Sequence, residues 1–394
     1  MSKIFFSFKD SNILVPIKSS NLSEKIVKSQ LDLISSESGF EWEWADSIYS
    51  DNYDDIYAMT VDEEGNTYVG GAYRGQTVNV QANSSQNPNA PSGDALFAKF
   101  DVDGNVVWLK SFGVSNSSLA IYGLSMSLSG NVIACGGFSQ NFTIDGFSVE
   151  SLISGGGVGN SWLAEFDEDG SLQWIKSMQN AAICVGQGGN SAISVSQVDG
   201  SIYTYGFSAV FHNAGPQNIS IYSGVEVNNS NDFNNYNHYV STLSYLIKFD
   251  SNGNYQWRQH MFCGTYYCSS DLDLGISEGE EIIYVTGHVY AHLSFNNSAT
   301  ELWTTSTDSF LHTEFYVAAF DSQFGNLKWA NNASASASFP SNGNGAGVGL
   351  SPEEPSISVD GLGNAIIGGN FYSNMTFQTQ PPTQLNVSWD VTGC

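Results

Sequence analysis

Positive charge is what this sequence has least of: 12 Lys and Arg stand against 39 Asp and Glu, a net charge of −27 in 394 residues. That balance argues against nucleic-acid binding, which needs cations to displace counterions from phosphate. It equally disfavours an anionic membrane surface. No run of 18 apolar residues occurs, so no membrane-spanning helix is expected. The opening "MSKIFFSFKD" makes a poor signal peptide, because its apolar run Ile4–Phe8 is short and meets Lys9 and Asp10 at once. Secretion by the ordinary route is therefore not expected. Cysteine is scarce too. Cys135, Cys184, Cys263, Cys268 and Cys394 are odd in number and irregular in spacing, which is no disulfide framework. Cys135 in "VIACGGF" reads as a small buried apolar residue, and Cys263 and Cys268 read as free thiols rather than a local bridge.

Long helical patterns are nearly absent, whereas Gly (40), Phe (24) and Tyr (19) are plentiful. Short strands joined by turns suit that composition. The chain then repeats itself. "FDVDGNVVWLKSFG" (100–113) returns as "FDEDGSLQWIKSM" (166–178), "FDSNGNYQWRQHM" (249–261) and "FDSQFGNLKWANN" (320–332). Upstream of these lies a second phrase: "AMTVDEEGNTYVGGAY" (58–73), "GLSMSLSGNVIACGGF" (123–138), "AISVSQVDGSIYTYGF" (192–207), "LGISEGEEIIYVTGHV" (274–289) and "SISVDGLGNAIIGGNF" (356–371). Its first strand alternates, with Met59, Leu124, Ile193, Leu274 and Ile357 on an apolar face and Ala58, Gly123, Ala192, Asp273 and Ser356 opposite. The small residues are expected to line a narrow central channel, with the apolar ones packed between repeats.

Each repeat holds four strands, and a four-stranded meander repeated radially is a β-propeller blade. The expected fold is all-β, a propeller of five four-stranded blades over 38–394. The fourth-strand tryptophans Trp44, Trp108, Trp174, Trp257 and Trp329 mark the count. The last repeat runs out after "LNVSWDVTG" (385–393), so ring closure is expected by pairing 40–48 with 385–393, which removes free sheet edges. Residues 1–37 are expected to stand outside as a β-β-α attachment element. "KIFFSF" and "NILVPI" would be its strands, and a helix would follow, capped by Asn21 and Glu24 with Val27, Leu31 and Ile34 on one face.

The phrases "D-x-x-G-N-x-Y-V-x-G" (62–71) and "D-A-L-F-A-K-F-D-x-D-G-N-x-x-W" (94–108) resemble the bacterial β-propeller repeat family abbreviated SBBP. The resemblance spans 41–394. It implies the propeller fold and is almost silent on function, since propellers host enzymes, lectins and scaffolds alike.

Chemistry is thin. Asp101, Asp103 and Asn105, and likewise Asp250, Asn252 and Asn254, are spaced like the start of a Ca²⁺ loop. An EF-hand loop needs Gly at its sixth position and Glu at its twelfth, and neither is in place, so these read as turns and no metal is expected. His288 and His292 are the one pair of the six histidines with ligand-like spacing, and no cysteine or carboxylate pair accompanies them. Asp271 and Asp273 are read as solvated strand-end residues near the channel mouth, the alternative being a catalytic or Ca²⁺ role. No nucleophile elbow, phosphate loop or paired-carboxylate motif occurs, so no enzyme activity and no cofactor are expected.

The connections from second to third strand are long: 72–93, 139–160, 208–242, 290–313 and 372–384. They are expected to form a loop crown, where binding normally lives. The longest mixes aromatic and polar residues, which nominates Tyr222, Asp232, Phe233, Tyr236, His238 and Tyr239 as ligand contacts. The expected function is non-enzymatic recognition, as a virus or phage surface component for receptor binding or decoration. The expected partners are other structural proteins of a particle or cell surface, and the expected location is the exterior. The competing reading is a lectin-like glycan binder or carbohydrate-active enzyme using the channel mouth.

Overall fold

A strand packed on both faces must be apolar on both, and "DALFAKF" (94–100) is buried along its whole length. The computed structural model describes residues 3–8, 42–81, 83–86, 93–113, 119–150, 160–179, 182–183, 193–209, 219–221, 225–227, 242–263, 271–290, 292–295, 301–303, 313–335, 356–360, 363–368, 375–377 and 383–385. These are strands and turns, with no helix among the described residues. The chain divides into two units, Met1–Leu152 with Trp162–Ser177, and Ile153–Ser161 with Met178–Cys394.

The first part of the chain runs β1 (Lys3–Phe8), β2 (Trp42–Ser50), β3 (Tyr53–Val61), β4 (Thr67–Arg74), β5 (Thr77–Val80), β6 (Asn83–Gln86), β7 (Asp94–Phe100) and β8 (Val106–Phe112). It continues with β9 (Leu119–Met126), β10 (Val132–Phe138), β11 (Phe142–Ile144), β12 (Phe147–Val149), β13 (Asn160–Phe166) and β14 (Leu172–Gln179). The order β3-β4-β7-β8 is one complete antiparallel meander, and β9-β10-β13-β14 is the next. Ala58, Tyr68, Ala95 and Phe97 of the first meet Leu119, Ile121, Leu124 and Phe166 of the second in one apolar cluster. On its other face the β3-β4-β7-β8 sheet buries Val69, Tyr73, Leu96 and Phe100 against Ile48, Val78 and Val80 of β2 and β5. Burying each such side chain contributes about 1.5–3 kcal/mol.

The second part runs β15 (Ala182–Ile183), β16 (Ile193–Val195), β17 (Ile202–Ala209), β18 (Ile219–Ile221), β19 (Val225–Val227), β20 (Thr242–Phe249), β21 (Tyr255–Cys263), β22 (Asp271–Ser277) and β23 (Glu280–Tyr290). It ends with β24 (His292–Phe295), β25 (Glu301–Trp303), β26 (Thr313–Asp321), β27 (Leu327–Ala335), β28 (Ser356–Val359), β29 (Ala365–Gly368), β30 (Met375–Phe377) and β31 (Thr383–Leu385). Tyr203, Tyr205, Leu246 and Met261 pack on Leu272, Ile283, Val285 and Phe320. The opposite face of the β22-β23-β26-β27 meander packs Ile282, Tyr284 and Ala319 on Ile357. Within each unit, then, successive meanders stack face to face, as neighbouring blades of a β-propeller do.

Three expectations change. The long second-to-third connections hold hairpins: β5-β6, β11-β12, β18-β19, β24-β25 and β30-β31. Four of these extend a sheet by pairing with a tryptophan-bearing strand: β5 on β2, β18 on the end of β14, β24 on β21 and β30 on β27. They cover edges that would otherwise template foreign strands. Secondly, Ala58 does not line a channel. It is 4% exposed, wedged in the cluster shared by two meanders, because the small-residue face of a first strand receives the next sheet. Thirdly, among the described residues β2 pairs with β1 and β5, and not with Leu385. Its edge is held by β1 from Trp42 to Ile48, with β5 taking Ile48–Ser50 on the other side, and Leu385 lies in β31 on β30. The reason is legible afterwards: "FFSFKD" (5–10) is a third-strand phrase of the "LFAKFD" type. β1 thus ties part of the expected N-terminal element to the strand of Trp44; the second strand and helix expected at 13–34 lie outside the described residues, as do 386–393.

Candidate functional site

The recurring residues serve the architecture, and following each shows what is left for chemistry. Where an Asp opens a described first-to-second or third-to-fourth turn, its carboxylate folds that turn. Asp62, Asp101, Asp167, Asp250, Asp321 and Asp360 accept backbone N–H groups two to five residues on, at 2.6–3.1 Å. This is the side-chain mimic of a backbone turn. It explains Asp101 and Asp250 without a cation; the Asn105 amide and backbone hold Asp101 below the usual carboxylate range. The glycine that follows takes positive φ, +80° at Gly104 and +71° at Gly170.

That glycine has a second duty. A Cβ at Gly104 would sit 2.5 Å from the ring of Trp44, one at Gly170 3.0 Å from Trp108, and one at Gly325 2.6 Å from Trp257. The tryptophan of one sheet therefore seats on the bare turn of the next. Trp108 Nε1 donates to Glu168 O and Trp257 Nε1 to Gln323 O, each at 3.0 Å. Lysine joins the same turns, Lys99 Nζ on Glu168 O at 3.5 Å and Lys248 Nζ on Ser322 O at 3.0 Å. The repeated phrase from Phe-Asp to Trp is thus both halves of a latch, the seat for one neighbour and the plug for another.

The hairpins lock in a related way. Gln81 Nε2 donates to Gly104 O at 2.8 Å while its Oε1 accepts from Val106 N at 3.2 Å. Asp145 Oδ2 accepts from Leu172 N at 3.0 Å.

One acidic group departs from the repeat. Where other copies carry Ala58, Gly123, Ala192 or Ser356, β22 carries Asp273, with Asp271 on the same face. Neither is a solvated strand end. Asp271 Oδ2 accepts from Ile357 N at 3.0 Å, and Asp273 Oδ2 from Val359 N at 2.8 Å, both on β28. Their Oδ1 atoms accept from Leu272 N and Leu274 N at 2.9 and 2.8 Å, and Ser194 Oγ lies 3.4 Å from Asp273 Oδ1. Burial pushes the Asp271 carboxyl up to about 8 against the pull of its two backbone donors, and the charge of Asp273 adds to the rise. Burial raises Asp273 as well. A carboxylate whose oxygens are filled by backbone donors is poorly placed to attack a substrate, and this geometry fastens strands.

A further cluster lies on the first strands of the other unit. β-bulges at Tyr57 in β3 and Tyr122 in β9 bring their rings to 5.2 Å, with Tyr57 Oη 3.4 Å from Asp55 Oδ2. The bulges explain the second glycine of "VGG" and the first of "CGG": a Cβ at Gly71 would lie 2.0 Å from Asp55 O, and one at Gly136 1.8 Å from Ala120 O.

Of the remaining candidates, Tyr222, Asp232, Phe233, Tyr236, His238 and Tyr239 lie outside the described residues. His288 and His292 fall on different strands, β23 and β24, with register partners Phe315 and Trp303, so they do not share one strand face. His260 is buried edge-on against Tyr245, and burial with Arg258 nearby pushes its imidazole down to about 3. Cys135 is buried, as expected, but it is disulfide-bonded; sequence spacing carried no sign of this. No family model matches the chain, and no curated protein matches it.

Proposed function

We propose that this protein is a non-enzymatic recognition scaffold, a β-propeller of five blades closed from its two ends. The observation that carries the reading is the fate of the recurring polar residues. In the described residues, the aspartates that open turns fold them, Trp44, Trp108 and Trp257 seat on glycines, and Asp271 and Asp273 bind backbone amides. A chain that commits its regular residues to rigidity presents ligands from its irregular ones. The polar-aromatic connection 228–241, with Asp232, Phe233, Tyr236, His238 and Tyr239, and Tyr222 just before it, is the contact surface of this proposal.

Closure is supported by register. β1 and β2 shift register at Phe6/Phe8, beside the Trp44 strand, as β7 and β8 shift at Lys99/Phe100 and β26 and β27 at Ala319/Phe320. β1-β2 thus reads as a third and fourth strand, while β28-β29 reads as a first and second. Together they supply one blade, in the SBBP-like manner that the repeat resembles.

The disulfide at Cys135 and the net charge of −27 suit work outside a reducing cytosol, as on a particle or cell surface. The partner is then another surface protein. The test is capture of surface proteins and a glycan array with the wild type and with Tyr236→Ala/His238→Ala. Loss of capture at an unchanged unfolding midpoint supports the proposal. Undiminished capture by the variant moves the surface elsewhere, and turnover of a glycan would overturn the non-enzymatic reading.

A further inference from the structure

Tyr57 and Tyr122 are used neither by the latch nor by the core. They hold the same repeat position, one residue before Ala58 and Gly123, and each is the extra residue of a β-bulge. The ladder steps from Ile56↔Gly71 to Ala58↔Gly70 around Tyr57, and from Ile121↔Gly136 to Gly123↔Cys135 around Tyr122. A bulge leaves its extra residue unpaired in the ladder and re-aims its side chain. The corresponding strand of the second unit, β22, runs without a bulge, and Leu272 at that position is buried in an apolar cluster. Tyr57 and Tyr122 instead stay half-buried, outside the apolar clusters that take up Ile56, Ala58, Ile121 and Leu124. The two bulges therefore serve the tyrosines rather than the packing.

What such a pair can hold is visible where the chain fills the same arrangement itself. Tyr68 Oη lies 3.4 Å from Asp62 Oδ2, and Lys99 Nζ stands 5.0 Å over the Tyr68 ring. Lys248 Nζ stands 5.3 Å over the Tyr203 ring and 3.7 Å from Asp199 Oδ2. Each is a cation shared between a tyrosine face and a carboxylate. Tyr57 Oη is likewise 3.4 Å from Asp55 Oδ2, and the Tyr122 ring, tilted by 56° at 5.2 Å, adds a second π-face. Asp55 and Tyr57 make other contacts too, and a carboxylate accepts more than one donor.

We propose that Tyr57, Tyr122 and Asp55 form a site for an organic cation, the guanidinium of an arginine side chain. A guanidinium fits better than an ammonium, because its plane stacks on a ring while its fork of N–H donors meets a carboxylate. The chain places its own arginines on tyrosines in this way, Arg74 at 5.8 Å over Tyr53 and Arg258 at 5.8 Å over Tyr245. Burial, and then the charge of Asp55, raise the Tyr57 phenol, so it keeps its proton at neutral pH. That the arginine belongs to a bound surface protein rests on the function proposed above; the site itself does not, and it is tested without a partner.

The experiment titrates the full chain, carrying isotope-labelled tyrosine, with acetyl-arginine-amide at low salt and follows the ring signals by NMR. Tyr57→Phe and Tyr122→Phe assign the two signals. Saturable shifts of both are expected, with none for acetyl-norleucine-amide, which has an apolar chain and no charge. Asp55→Asn should weaken binding about tenfold, and added salt should weaken it as well. Absence of a saturable shift in the wild type, or equal shifts with the norleucine probe, would overturn the proposal whether or not the variant folds. Undiminished binding by a folded Asp55→Asn would overturn it too. None of these results bears on capture through 228–241, so the two proposals fail separately.

Discussion

Replacing Gly104 by Ala tests the latch, and the fold supplies its own control. Gly104 and Gly130 occupy equivalent turns, closed by Gly104 N to Asp101 O at 3.0 Å and Gly130 N to Ser127 O at 3.1 Å. Their φ angles are nearly equal, +80° and +82°. An alanine at either therefore carries the same left-handed backbone penalty, about 1–2 kcal/mol. They differ in what the new methyl meets. At Gly130 nothing lies within 4 Å, whereas at Gly104 the Trp44 ring is 2.5 Å away. Trp44 cannot swing aside freely, because it stacks on Phe100 at 5.8 Å. Displacing it is an overpacking event of about 1–3 kcal/mol. Gly104→Ala should accordingly unfold earlier in urea than Gly130→Ala by that difference, at unchanged slope. Trp44→Leu should recover part of the loss in the double variant, since the two sites share one contact. Equal midpoints for the two alanine variants would refute the latch.

Other substitutions grade the same architecture. Phe97→Ala removes a ring packed at 4.9 Å on Trp108 and 5.2 Å on Phe166, and should cost about 3–5 kcal/mol by chemical denaturation. Gly71→Ala drives a methyl to 2.0 Å from the Asp55 carbonyl and should severely destabilise or prevent folding, judged by soluble yield, whereas Gly368→Ala meets nothing closer than 3.8 Å and should be mild. Asp145→Ala removes the acceptor of Leu172 N and a residue at φ +47°, and should lower the urea-unfolding free energy by about 1–3 kcal/mol.

The meanders were legible because alternation, turn glycines and tryptophans recur together. The hairpins were legible in principle as well. "FTIDGFSV" carries Asp145-Gly146 between two short strands, a hairpin signal, and both residues take positive φ. Reading loop length as display surface hid it. β1 was expected as a strand, but its place on β2 was missed because its phrase stands far from the other repeats in sequence, and sequence distance does not report which sheet edge needs filling. The acidic pair of β22 was half visible: Asp271 and Asp273 stood out by type, but only the approach of β28 shows that their oxygens meet amides. The disulfide at Cys135 had no sequence signal, since spacing along the chain does not say which strands meet.

Closure into one ring is tested most directly by a single cross-link. In the complete meander Val69 stands opposite Ala98. Ile367 holds the place of Val69, being paired with Ile357 as Val69 is with Met59. Phe6 holds the place of Ala98, two residues before the phenylalanine that ends its strand. Ile367→Cys and Phe6→Cys, combined, are therefore expected to join under mild oxidation into an intramolecular disulfide. The closed species should run faster in non-reducing gels, and mass mapping should show the two introduced cysteines joined to each other. Failure to form that bond, with Ile366→Cys and Phe5→Cys behaving the same, would contradict closure through β1 and β29.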